Sequence, residues 1–120
     1  MSARAELGKR GEAYAARRLE AQGWHVLARN WRCKHGEIDL ILVRDGLLAM
    51  VEVRTRRGRR LGTPEESIGY KKRARLTALA AAYLAAHPWS GPWRIDVVAI
   101  EVPPGGGPVR FAHYPSAVGG

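Results

Sequence analysis

An α/β fold, with a central mixed sheet of four to five strands flanked by helices on both faces, is predicted by three features of this sequence. An amphipathic helical stretch opens the chain. An Asp45-Gly46 pair joins two strand-like runs, and a second long helical stretch separates the later run from another strand. The two-residue turn makes its strands antiparallel, whereas a strand reached through a helix returns parallel, by a right-handed crossover. A sheet containing both kinds of pair is mixed. The hairpin carries apolar residues on both faces, so both faces need cover. The 120 residues suit one domain, with 115–120 expected as a loose tail.

The first helix is expected from Arg4 to Gln22, ending at Gly23. Its inner face carries Ala5, Gly8, Glu12, Ala15, Ala16 and Leu19, so Glu12 is a carboxylate among small and apolar neighbours. Trp24 to Trp31 has extended character, and Lys34-His35-Gly36 breaks it. Glu37 to Val43 and Leu47 to Thr55 are the hairpin strands. A basic loop follows, and Thr63-Pro64 reads as a helix start, with threonine as cap and proline at the first position. The second long helix spans Gly69 to His87, with Leu76, Leu79, Ala80, Tyr83 and Leu84 as its apolar stripe. Its first turn is basic, which opposes the helix dipole. Pro88 ends it, Trp93 to Val102 is a fourth strand, the glycines at 105–107 form a turn, and Val109 to Tyr114 is a short fifth strand. Asp96, between Ile95 and Val97, is expected to make a buried hydrogen bond to Arg94 or to a helix end.

The net charge of +9 is carried mostly by arginine, whose forked guanidinium suits phosphate. Nucleic acid is therefore the expected partner, although ordinary solubilising charge accounts for the composition equally well. Arg56, Arg57, Arg59 and Arg60, with Lys71, Lys72 and Arg73 at the second helix start, are the candidate phosphate contacts; a solvated basic loop is the bland alternative. No run approaches the ~20 apolar residues of a membrane span, and no signal-peptide core opens the chain, so a cytoplasmic protein without a membrane partner is expected. The single Cys33 excludes an internal disulfide and a cysteine-rich zinc site. No phosphate-cradling glycine loop precedes a helix, so no nucleotide cofactor is expected.

If Asp45-Gly46 is the turn, Arg44 pairs with Leu47 and Ile41 with Met50, and the ladder runs on to set Asp39 opposite Glu52 and Glu37 opposite Arg54. Alternation puts all four on one face, together with Ile41, Val43, Leu48 and Met50. Facing carboxylates repel, and a hard divalent cation, Mg2+ or Mn2+, relieves the repulsion. Asp39 and Glu52 are then the expected metal ligands and Glu12 a third candidate, with Arg54 bracing a phosphate. A partly solvated charged ladder, with Arg54 on Glu37, fits the same residues, and Glu12 would then be a cap or a partner of Arg29 or Arg32.

Gly36-Glu37-Ile38-Asp39-Leu40-Ile41 followed by Val51-Glu52-Val53-Arg54-Thr55-Arg56, led by Gly8-Lys9-Arg10-Gly11-Glu12-Ala13, resembles the active-site hairpin of the PD-(D/E)xK nuclease superfamily. From Gly8 to about Ile100 the chain looks like the widespread bacterial YraN-type family, which is similar to archaeal Holliday-junction resolvases. The resemblance implies a restriction-endonuclease-like fold and metal-dependent endonuclease chemistry on DNA, including branched or junction DNA, with a homodimer as an attractive assembly. It maps the catalytic set onto Glu12, Asp39, Glu52 and Arg54. Arg54 stands where the superfamily has lysine, and arginine does not shed its proton, so Arg54 orients water or stabilises charge. Ile38 replaces the usual proline. A nucleic-acid-binding module with a vestigial site is the alternative reading.

Overall fold

The apolar stripes of the two helices decide how the sheet is covered. In the computed structural model, which describes residues 2–58 and 69–118, the first stripe belongs to α1 (Ala3–Ala21). The Ser2 hydroxyl caps it, accepting from the Ala5 N–H at 3.1 Å. The chain then turns through Gly23, whose φ of +95° favours a residue without a Cβ. Five strands follow: β1 (His25–Cys33), β2 (Gly36–Arg44), β3 (Leu47–Arg57), β4 (Trp93–Val102) and β5 (Arg110–Val118). Between β3 and β4 lies α2 (Tyr70–Ala86). The expected helix start at Thr63-Pro64 and the candidate contacts Arg59 and Arg60 lie outside the described residues.

The strands are ordered β1-β2-β3-β4-β5 in one sheet. Only β3 and β4 run parallel, as their helical connection requires; the other neighbours are antiparallel. Ala15, Ala16 and Leu19 of α1 pack with Leu40, Leu42, Val51, Val98 and Ile100 on one face. Leu76, Leu79, Ala80 and Tyr83 of α2 pack with Ile41, Leu48, Met50 and Ile95 on the other. Helices on both faces of a mixed sheet are what the sequence predicts. Among the described residues, no helix is long and apolar enough to cross a membrane.

The expected loose tail over 115–120 is corrected for 115–118, and residues 119 and 120 lie outside the described residues. Residues 115–118 continue β5, and Val118 is buried. Local propensity missed this because Pro115 and Ser116 sit in a bulge: the pairing jumps from Val97–Tyr114 to Ile95–Val118. An edge strand tolerates such a proline. The anchor is Asp96, fully buried, whose carboxylate accepts from Arg94 Nε and the Ser116 N–H, both at 2.9 Å, and lies 2.8 Å from His113 Nε2. Burial pushes this carboxyl up. The bonds from His113, Ser116 and Arg94 outweigh burial and hold it below its ordinary value. Its contribution to stability is present at neutral pH and is lost as pH falls through that depressed value.

One contact fixes α1 against β3. A Cβ added at Gly11 would lie 1.8 Å from Thr55 Oγ1 and 2.9 Å from Thr55 Cβ. In an exposed helix, glycine to alanine stabilises by about 1 kcal/mol. Here steric overlap reverses the sign. Gly11→Ala is expected to lower unfolding free energy in urea by about 1–3 kcal/mol, and Thr55→Ala in the same chain to recover part of the loss.

Candidate active site

Pleat alternation fails at several places in the sheet, and one of them holds the acids. The β2–β3 ladder follows the expected register from Arg44–Leu47 to Leu40–Val51. Beyond it the Asp39 carboxylate accepts from the Val53 N–H at 2.7 Å. Leu40 faces α1 and Ile41 faces α2, yet Ile38 also faces α2. Three positions cannot separate residues on one face of a regular strand, so the alternation slips at Asp39. On β1 a matching slip occurs: Ala28 and Trp31 both pack on the α2 side, and Asn30 between them adopts φ +52°. Asparagine tolerates that left-handed conformation better than most residues. Asn30 lies between the pairs Arg29–Leu40 and Trp31–Ile38, beside Asp39.

The slip replaces the expected single-face ladder by a fork, and this corrects the simple extrapolation from the turn. Glu37 does not share the face of Ile41. It turns toward α1, where carboxylate oxygens of Glu12, Glu37 and Asp39 lie within 4.8 Å of one another. Asn30 Nδ2 donates to Glu12 Oε1 at 2.8 Å and to Glu37 Oε1 at 2.7 Å, and Arg32 Nε donates to Glu37 Oε2 at 2.9 Å. Glu12 is thus tied to an asparagine rather than to Arg29 or Arg32 as a salt bridge.

Asp39 faces a second acid on its other side. Burial raises its pKa to about 8, with the charge of Glu52 the next cause. The Val53 N–H opposes the rise, while the Glu12 charge and a hydrogen bond with Glu52 add to it. Glu52 Oε2 in turn pairs with Lys72 Nζ of α2 at 2.5 Å. The structure sets Asp39 against both Glu52 and Glu12. Among the described residues, however, the acids whose oxygens lie close enough to share one ion are Glu12, Glu37 and Asp39, with Glu52 outside that group. The place of Glu37 in the cluster and the role of Asn30 were missed by sequence reasoning.

The donor set suits a hard cation. Oxygens bound to one divalent ion at about 2.1–2.4 Å lie within about 4.8 Å of each other, which the cluster of Glu12, Glu37 and Asp39 satisfies. A carboxyl held protonated by its neighbours is also the state that a divalent charge would relieve.

A cleft of about 580 Å³ opens where both helix starts meet the end of β3, with Val53, whose N–H holds Asp39, in its lining. Arg4, Arg54, Arg56, Arg57 and Lys72 line it. Arg56 and Arg57 are exposed, as are Lys71 and Arg73 on the first turn of α2. A neighbouring cleft of about 490 Å³ shares Leu7, Thr55 and Arg57 and adds Arg10 and Arg17, so cationic surface continues along α1. Of the tryptophans, Trp24 is buried and Trp31 packs edge-on against Tyr83, whereas Trp93 is 44% exposed.

Fold and site together define an α/β protein with an acidic fork and an arginine-walled cleft. The chain belongs to Uncharacterised protein family UPF0102, whose profile matches residues 11–100. It is similar to the UPF0102 protein of Roseiflexus castenholzii, with 56% identity over 117 residues, covering 96% of this chain and 94% of that one. The UPF0102 proteins of Frankia alni (47% identity; 98% of each chain) and Clavibacter michiganensis (45%; 90% of this chain, 92% of that one) are similar over nearly their full lengths.

The raised Asp39 carboxyl makes a directional prediction. It stays protonated in the folded chain up to about pH 8, but in the unfolded chain only to about pH 4. Its contribution to stability is thus fully present below about pH 4 and is lost as pH rises through about 8. Asp39→Asn keeps the acceptor for Val53 without the charge. Thermal melts are expected to show the variant gaining on wild type from pH 5 to pH 9; a gap that is constant with pH would rule out this coupling.

Proposed function

We propose that this chain is a metal-dependent phosphodiesterase that cuts nucleic acid, with DNA, including branched or junction DNA, as its substrate. One observation carries the reading: carboxylates of Glu12, Glu37 and Asp39 crowd one point, and an arginine-lined cleft is joined to the acids through Val53, whose N–H holds Asp39, and Lys72, which pairs with Glu52. An anionic cluster repels a polyanion, and a cationic wall attracts it. A divalent cation reconciles the two. The resemblance of the hairpin to the PD-(D/E)xK nucleases points the same way.

When bound, Mg2+ or Mn2+ would acidify a water and stabilise charge on the phosphate. Glu12, Glu37 and Asp39 would hold the ion, with Glu52 beside them. Arg54, Arg56 and Arg57 would seat the phosphates, each guanidinium offering a forked pair of donors. Asn30 keeps Glu12 and Glu37 aimed together. Hydrolysis forms one bond from water oxygen to phosphorus and breaks one ester bond; the water proton leaves to solvent and the departing oxygen takes one up. Contacts of this kind give affinity that falls with salt and carries little sequence information. Arg54 in the usual lysine position favours a second reading, a nucleic-acid-binding module without turnover.

A panel of junction, flap, duplex and single-stranded DNA, with magnesium or manganese, separates the two. Cutting is expected in wild type and is expected to fall at least about 100-fold in both Asp39→Ala and Glu52→Ala, more than loss of a supporting partner usually costs. Cutting that survives both substitutions removes this site from the reaction. Salt-sensitive binding with no cutting in any metal leaves the module.

A further inference from the structure

We propose that Lys72, carried by α2, is the amine of this reaction site and acts from the helix rather than from the strand position that Arg54 occupies. The proposal rests on the phosphodiesterase reading above. Three observations on Lys72 support it.

First, Lys72 is unlike its neighbours. The first turns of α2 carry Lys71, Lys72, Arg73 and Arg75, and only Lys72 is drawn inward; the other three are exposed. Its Nζ lies 2.5 Å from Glu52 Oε2, with side chains 30% and 11% exposed. A half-buried pair of this kind contributes little net stability, because desolvation offsets much of the attraction. Second, Lys72 borders two environments at once. It touches an acid of the fork and also lines the cleft with Arg54, Arg56 and Arg57. A group placed at that border meets the atoms that lie between a bound phosphate and the acids. Third, the chemistry of the two basic residues differs. A guanidinium is a flat fork suited to clamping two phosphate oxygens. An ammonium is a compact charge with three donors, so it can keep one hydrogen on Glu52 and give another to the attacking water or to a non-bridging phosphate oxygen. Arg54 and Lys72 therefore divide the work, one seating the phosphate and the other orienting the attack. The proton of the attacking water leaves to solvent, and Lys72 acts only as a hydrogen-bond donor.

The test uses the full chain and a DNA substrate that wild type cuts in manganese. Lys72→Met is expected to lower the single-turnover rate at saturating enzyme by about 100-fold or more, the usual loss for one preorganised donor. Its DNA affinity without metal is expected to fall far less than the rate, by about tenfold at most, because the arginines supply most of the phosphate contacts. Lys72→Arg, which keeps the charge but not the compact ammonium, is expected to lose at least about tenfold in rate. A second readout is independent of turnover. The manganese-induced rise in melting temperature is expected to be kept or enlarged in Lys72→Met, since Glu52 loses a competing cation. Rates within about threefold of wild type in both variants overturn this inference alone. A manganese response abolished in Lys72→Met overturns it as well, by making the lysine a support for the site's shape. A wild-type chain that neither cuts DNA nor responds to manganese overturns the functional reading, and this inference falls with it.

Discussion

Burial of a carboxylate beside two others is the constraint around which this protein is built. Asp39 lies between Glu12 and Glu52, is largely withdrawn from water, and has its pKa raised to about 8. Nothing in a hydrophobic core requires that arrangement, and moving an ion out of water costs several kcal/mol. The fold carries this burden by concentrating hydrogen bonds there. The Val53 N–H is turned onto Asp39, and Asn30 is held at φ +52° so that one amide serves both Glu12 and Glu37. Strained or sparsely populated backbone gathered at an acidic cluster is common where structure has been shaped for chemistry.

The rest of the molecule supplies rigidity around that point. α1 brings Glu12, the hairpin brings Asp39 and Glu52, and α2 brings Lys72, so four elements each place a charged group at one end of the sheet. The remaining buried acids are settled differently. Asp96 is enclosed by Arg94, His113 and Ser116, and Glu101 pairs with Arg110. Charge compensation is thus supplied by side chains on β4 and β5. At the fork Glu12 and Glu37 share an asparagine, Glu37 also pairs with Arg32, Asp39 takes a backbone N–H, and Glu52 meets Lys72 of α2.

What could be read from the sequence was whatever depends on local chemistry. Asp45-Gly46 fixes a two-residue turn, and the turn fixes five cross-strand pairs without any knowledge of the rest of the chain. Helical periodicity found both helices and their inner faces, because apolar spacing reports burial directly. The position of Glu12 on the inner face of α1 followed from the same spacing. Glu37 and Asn30 were hidden because the reading assumed unbroken alternation. A single slip reverses which side every later residue faces, and only neighbouring strands reveal it. The last turn of β5 was hidden for a related reason: Pro115 and Ser116 have loop propensities, and a buried aspartate on another strand overrides them. Lys72 was read as one of several surface cations, since composition cannot say which member of a basic run turns inward.

The close approach of Gly11 to Thr55 has a further meaning for the fork. Glu12 is the next residue along α1, and each step along a helix turns the side-chain direction by roughly 100°. A backbone contact this near leaves almost no play in the angle from which Glu12 reaches the other acids. The glycine thus works as a dimensional stop. It sets the spacing between an acid on the helix and the acids on the strands.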